Sequence, residues 1–143
     1  MISDELNKII EQIKSYGELS LRKKDAASEE QIVQFEETNK IRLPLQYKKW
    51  LGYSDGGDCY LPAGVQFYGV SHKPLIDPNE GDRPNDNYVV IGALSTGDPI
   101  LFEKDKEQIS IYNHEAGRIE SDETYPDFFS FVKDLPEILG LGE

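Results

Sequence analysis

Ser28-Glu29-Glu30-Gln31-Ile32-Val33-Gln34-Phe35-Glu36, then Leu43-Pro44, then Tyr47-Lys48-Lys49-Trp50-Leu51 and then Gly56-Gly57 form the stretch that decides the fold. Ser28 with Gln31 three residues on is a capping box: each side chain satisfies a backbone amide that the first helical turn leaves free. Ile32, Val33 and Phe35 supply the buried side of that helix, which fades near Asn39. Ile41 and Leu43 are extended, because Pro44 disfavours helical geometry in the residue before it. Pro44 suits the first turn of the next helix, whose apolar face is Leu45, Tyr47, Trp50 and Leu51. Ser54-Asp55-Gly56-Gly57-Asp58 ends it in a glycine-rich turn, where positive φ lets the chain swing into its first strand.

On the N-terminal side, Ser3 can cap a further helix with Asp4 and Glu5 in its first turn, Leu6, Ile9, Ile10 and Ile13 on one face, and Gly17 as its stop. Residues 21–27 read as a connector carrying the one compact basic cluster, Arg22-Lys23-Lys24. On the C-terminal side, strand signals fall at 60–61, 65–70, 88–94, 99–103, 109–113 and 118–121. The links at 95–98 and 114–117 are hairpin turns, so consecutive strands form an antiparallel meander rather than βαβ units. Residues 74–87 make a polar surface loop. Phe128, Phe129, Val132 and Leu135 give a last helix its sheet-facing side, and Pro136 interrupts it, leaving Ile138, Leu139 and Leu141 for one further turn. The expected architecture is α+β over residues 1–143 as one domain: an antiparallel sheet of about five to six strands, with N-terminal helices and a C-terminal helix packed against it.

With 143 residues, 38% hydrophobic and 29% charged, the chain is long enough for one core without staples and is globular rather than disordered. A single cysteine, Cys59, builds no disulfide framework. The start, Met-Ile-Ser-Asp-Glu, has neither the basic nor the apolar region of a secretory signal, and no apolar run is long enough to cross a bilayer. These features place the chain in the cytoplasm. The net charge of −12, from 27 acidic and 15 basic side chains, repels nucleic acid and anionic membranes and attracts basic partners.

The abundant carboxylates leave a hydrolase with a paired acid–base site as a third reading, but nothing in the sequence selects one pair over another, and no base, nucleophile and orienting group stand at recognisable spacing. His72 and His114 sit in separate turns without cysteine spacing for zinc, and Cys59 near a strand start reads as a packing residue. The run Asp77-Pro78-Asn79-Glu80-Gly81-Asp82 carries oxygen ligands but puts glycine at the fifth ligand position of a calcium loop. No Walker-type or dinucleotide fingerprint occurs. Neither a cofactor nor a metal is expected, and the chain reads as a protein-binding module rather than an enzyme.

The ordered pattern of capped helix, Leu43-Pro44, the Tyr47/Trp50 helix and Gly56-Gly57, supported by Ile91-Gly92, Gly97-Asp98-Pro99-Ile100 and the Phe-rich final helix, resembles the SUKH superfamily, the Smi/Knr-type domain. The resemblance runs from about Ser28 to the final helix. It implies an immunity protein that binds and neutralises a cognate toxin domain, often a nuclease or other nucleic-acid-directed toxin of a polymorphic or contact-dependent system. The alternative role is that of a regulatory or scaffolding module, as in the larger fungal relatives that act in cell-wall synthesis. It implies no catalytic residue. An acidic inhibitor matches the basic surface with which a nuclease holds phosphate. The expected contacts are exposed acids near loops, Asp55, Asp58, Asp77, Glu80, Asp82 and Asp86, with Tyr60, Phe67 and Tyr68 as aromatic anchors if they face outward.

Overall fold

The computed structural model describes residues 4–16, 18–20, 26–61, 64–71, 75–79 and 83–139. In chain order the elements are α1 (Asp4–Tyr16), β1 (Glu18–Ser20), α2 (Glu29–Asn39), α3 (Leu45–Leu51), β2 (Gly57–Leu61), β3 (Val65–Phe67), β4 (Tyr88–Leu94), β5 (Pro99–Glu103), β6 (Ile109–Asn113), β7 (Arg118–Tyr125) and α4 (Phe128–Ile138). The seven strands form one sheet in sequence order, every neighbouring pair antiparallel. The α+β meander is therefore as the sequence predicts, with one strand more than expected. β1 is only three residues long, too short for a period-2 pattern to register. Ser3, Gly17 and the Arg22-Lys23-Lys24 cluster lie outside the described residues.

The decisive stretch folds as its chemistry requires. Ser28 Oγ accepts from the Gln31 amide at 3.1 Å, and Gln31 Oε1 accepts from the Ser28 amide at 2.8 Å. Pro44 sits at the N-cap of α3, just outside its first turn, and offers no side-chain cap. The Leu45 amide instead donates to the Glu107 carboxylate from the β5–β6 connection, at 2.8 and 2.9 Å. Gln46 in turn accepts from the Phe129 amide at 2.7 Å, tying α3 to the start of α4. Tyr47, Trp50, Phe67 and Phe128 then interlock edge to face, with ring centroids as close as 4.9 Å for Tyr47–Phe128 and 5.3 Å for Phe67–Phe128. All four are fully buried and form the centre of the core. Leu6, Ile9, Ile10 and Ile13 are buried on α1 as their spacing predicts.

Several local expectations change. Val33 and Leu45 are not core: they are 46% and 57% exposed, and Phe35 is only partly buried. α2 and α3 are short helices that spend their inward positions on Ile32, Tyr47, Trp50 and Leu51, so the flanking apolar residues are left at the rim. β3 stops at Phe67, beyond which Gly69 forms an isolated parallel bridge to Leu75. β7 runs on to Tyr125 with an irregular register: Ile119 pairs with Tyr112 and Thr124 with Ser110, so residues 120–123 stand opposite Ile111 alone.

Pro136 does not interrupt α4, which continues to Ile138. A proline in a helix frees the carbonyl four residues back. Here that carbonyl belongs to Val132, and it accepts the Tyr60 hydroxyl at 3.1 Å. Gln12 Nε2 donates to Tyr60 Oη at 3.3 Å and to the next carbonyl, Lys133 O, at 3.1 Å. The group that proline leaves unpaired is thus answered from β2, with α1 bracing the same spot.

Candidate binding surfaces

The residues expected to meet a partner divide by burial. Asp55 is 1% exposed, which overturns its reading as a surface acid. Its carboxylate accepts from the Val70 amide at 2.7 Å and the Ser71 amide at 2.9 Å, so it pins the chain leaving β3 against the α3–β2 turn. Two neighbouring glycines make room for this clamp. Gly56 adopts φ +87°, and a Cβ on Gly69 would lie 2.6 Å from the Asp55 carboxylate. Tyr60 is likewise corrected: it is fully buried in β2 with φ +57°, its hydroxyl committed to Val132, and it presents no outward anchor. Phe67 is core and Tyr68 partly buried. Asp58, opposite Gln66 in the β2–β3 ladder, is half-buried.

Asp77 and Asp86 are exposed as expected. Asp77 Oδ1 accepts from the Asn79 amide at 2.9 Å, an Asx turn that shapes the loop. Arg83, which sequence reasoning passed over, organises the rest. Its guanidinium donates to the Pro78 carbonyl, to the Tyr88 carbonyl at 3.1 Å and to Asp86 Oδ1 at 3.1 Å. The Arg83 side chain is only 11% exposed, whereas that of Asp86 is 96% exposed. A half-sunk cation thus holds the two ends of the acidic loop together while its carboxylate partner faces solvent. Glu80, Asp82 and His72 lie outside the described residues.

A second acidic surface, missed in the sequence, lies on β7. Burial and then the charges of Asp122, Asp98 and Glu120 push the Glu123 carboxyl above its usual range. The three neighbours come from two separate stretches of chain, so only the fold assembles them. Asp98 itself is different. Burial alone would raise it, but the His114 backbone amide at 3.1 Å and the His114 ring hold it below the ordinary carboxylate value. This pair joins the β4–β5 and β6–β7 turns.

Cys59 is fully buried, and burial, then the Asp58 charge, push its thiol well up, so it is a packing residue and no thiolate nucleophile. Among the described residues, no group of three or more His, Cys, Asp or Glu side chains could hold a metal ion, and no helix is long and apolar enough to cross a membrane.

A groove of about 740 Å³ lies between α2 and α3. Its floor holds buried Leu6, Ala27 and Ile32, and its rim carries the exposed Val33 and Leu45. Lys48 Nζ approaches Glu36 Oε2 to 3.3 Å at the rim.

No curated protein matches the chain. A family model does, and it covers the capped α2, the Leu43-Pro44 bend, the aromatic α3, the Asp55 clamp, strands β2 to β7 and α4 as far as Asp134. With residues 26–134 matched, the chain belongs to the SMI1 / KNR4 family (SUKH-1).

Proposed function

We propose that this chain is an immunity protein that binds and neutralises a cognate toxin domain, of the nuclease or other nucleic-acid-directed kind. The observation that carries the reading is the family match over residues 26–134, because small members of the wider superfamily commonly have this role. The net charge of −12 supports the choice of a basic partner. A toxin that grips phosphate must present cations, and a carboxylate-rich surface speeds its capture and competes for those cations. Within this reading the exposed Asp77 and Asp86, held in one loop by Arg83, are contact residues, with Glu80 and Asp82 between them in sequence. Asp55 and Tyr60 contribute by shaping the scaffold. The role needs no cofactor and no turnover, only a stable face, and it places the protein in the cytoplasm with the nucleic acid it protects.

The test pairs the chain with the toxic domain encoded beside its gene. Co-expression should restore growth, and the purified proteins should form a one-to-one complex that abolishes toxin activity. A folded chain that neither rescues growth nor binds an active toxin would reject the proposal. Capture of a cell-wall or other host factor in place of the toxin would favour a regulatory module.

A further inference from the structure

The α2–α3 groove concentrates what the rest of the described surface disperses. Of the exposed large apolar side chains, Tyr16, Val33, Leu45 and Leu75, two stand on its rim. α2 presents Glu29, Val33 and Glu36 to it, at i, i+4 and i+7. α3 and its C-cap present Leu45, Lys48, Lys49 and Gly52, at i, i+3, i+4 and i+7. Each helix therefore offers one continuous stripe, and the floor between them is apolar. The walls carry opposite signs: among the described residues, Glu29 on the α2 side and Lys49 on the α3 side form no ion pair, whereas Glu36 and Lys48 pair with each other.

From this we infer that the groove is the docking site for an amphipathic helix of a protein partner. That helix carries an apolar stripe over Val33 and Leu45, a basic flank along α2 and an acidic flank along α3. The inference rests on the reading of the chain as a protein-binding module and names the face that grips. A helix laid in a groove presents its own anchors at i, i+3, i+4 and i+7, and an apolar floor between two helical stripes is the surface that receives them. Opposite charges on the two walls fix the direction in which it lies. Apolar anchors at the centre of an interface set its lifetime, whereas the surrounding acidic field sets its rate of encounter.

The probe is a stapled amphipathic peptide of about 15 residues, near the length at which isolated helices become stable. It has leucines on one stripe, arginines on one flank and glutamates on the other. Backbone NMR shifts should concentrate in α2 and α3. Val33→Asp and Leu45→Asp, both at exposed positions, should each weaken binding by about tenfold, equivalent to the loss of one buried aliphatic anchor, with the circular dichroism spectrum unchanged. Glu29→Lys and Lys49→Glu should each weaken it about threefold. The double exchange should recover affinity with the peptide reversed, because swapping the signs of the walls is equivalent to turning the helix end for end. A spin label on the peptide N-terminus reads that reversal. Absent binding, shifts elsewhere, or affinity in the two aspartate variants equal to that of the parent would overturn the inference. So would concentration-dependent dimerisation abolished by those variants, which would assign the groove to a second copy. Toxin neutralisation is scored separately. If the aspartate variants neutralise as well as the parent, the groove is not the toxin's site and the immunity reading stands. Peptide binding without any neutralisation removes the immunity reading alone.

Discussion

At the scale of single residues, acidic side chains that look alike in sequence do different work. Asp55 and Asp77 both precede turns, yet one is sealed in the scaffold and the other faces water. Asp55→Ala leaves the Val70 and Ser71 amides without their acceptor, so urea unfolding should show a loss of at least ~2 kcal/mol. Asp77→Ala should stay within about 0.5 kcal/mol of the parent. Equal effects would contradict the clamp. Asp98 and Glu123 differ in the sign of their pH dependence. The Asp98 carboxyl is held below its ordinary value of 3.8, so its contribution is present above that pH and is lost as pH falls through the lowered folded value. The Glu123 carboxyl is raised above 4.5, so the folded state binds its proton more tightly and the charged form opposes folding at neutral pH. Asp98→Asn should therefore flatten the acid limb of a stability–pH curve, and Glu123→Gln should raise stability at pH 7 but not at pH 3. Burial separates Asp55 from Asp77, and the His114 contacts separate Asp98 from Glu123; neither the burial of a lone aspartate nor a partner on a distant turn carries a sequence signal. The Gly56-Gly57 turn beside Asp55 was legible; the amides it would clamp, 15 and 16 residues away, were not.

At the scale of elements, the sequence was most legible where local chemistry and tertiary packing agree. The capping box of α2, the apolar stripe of α1 and strands β4, β5 and β6 all stand where pattern places them, because each signal is complete within a few residues. Legibility failed where a distant group intervenes. α4 passes through Pro136, and the carbonyl this frees is answered by a residue 72 positions before it. That explanation is testable by a double-mutant cycle. Tyr60→Phe should cost ~1–2 kcal/mol in the parent chain, since it strands the Val132 carbonyl. In a Pro136→Ala background the restored helix amide serves that carbonyl, and the same change should cost less than half as much. Equal costs in both backgrounds would show that the hydroxyl and the proline are energetically independent. The two sheet edges follow a shared logic that pattern alone does not reveal. β1 is cut to three residues, and β7 carries Glu120, Asp122 and Glu123 in its irregular stretch. Short length, bulging and charge each discourage edge-to-edge pairing, so association of this chain is steered away from its sheet edges.

At the scale of the whole molecule, the charge of −12 and the apolar groove ask different things of a partner, and kinetics can separate them. Long-range attraction acts before contact, so it raises the association rate and is screened once the Debye length falls below the separation of the charges. Apolar anchoring acts after contact, so it governs dissociation and is nearly indifferent to salt. For the proposed basic toxin, association measured by stopped flow should slow by about tenfold or more between low and high salt, while dissociation barely changes. Neutralising Asp77, Glu80, Asp82 and Asp86 together removes four of the 27 acidic side chains and should reduce that salt dependence without altering the dissociation rate. Leu45→Asp adds negative charge at an exposed rim position and should do the reverse, keeping association fast and speeding dissociation. If the four neutralisations instead left both the rate and its salt slope unchanged, the loop would not face the toxin. The steering would then have to come from another acidic region, for which the β7 patch of Glu120, Asp122 and Glu123 is the next surface to neutralise.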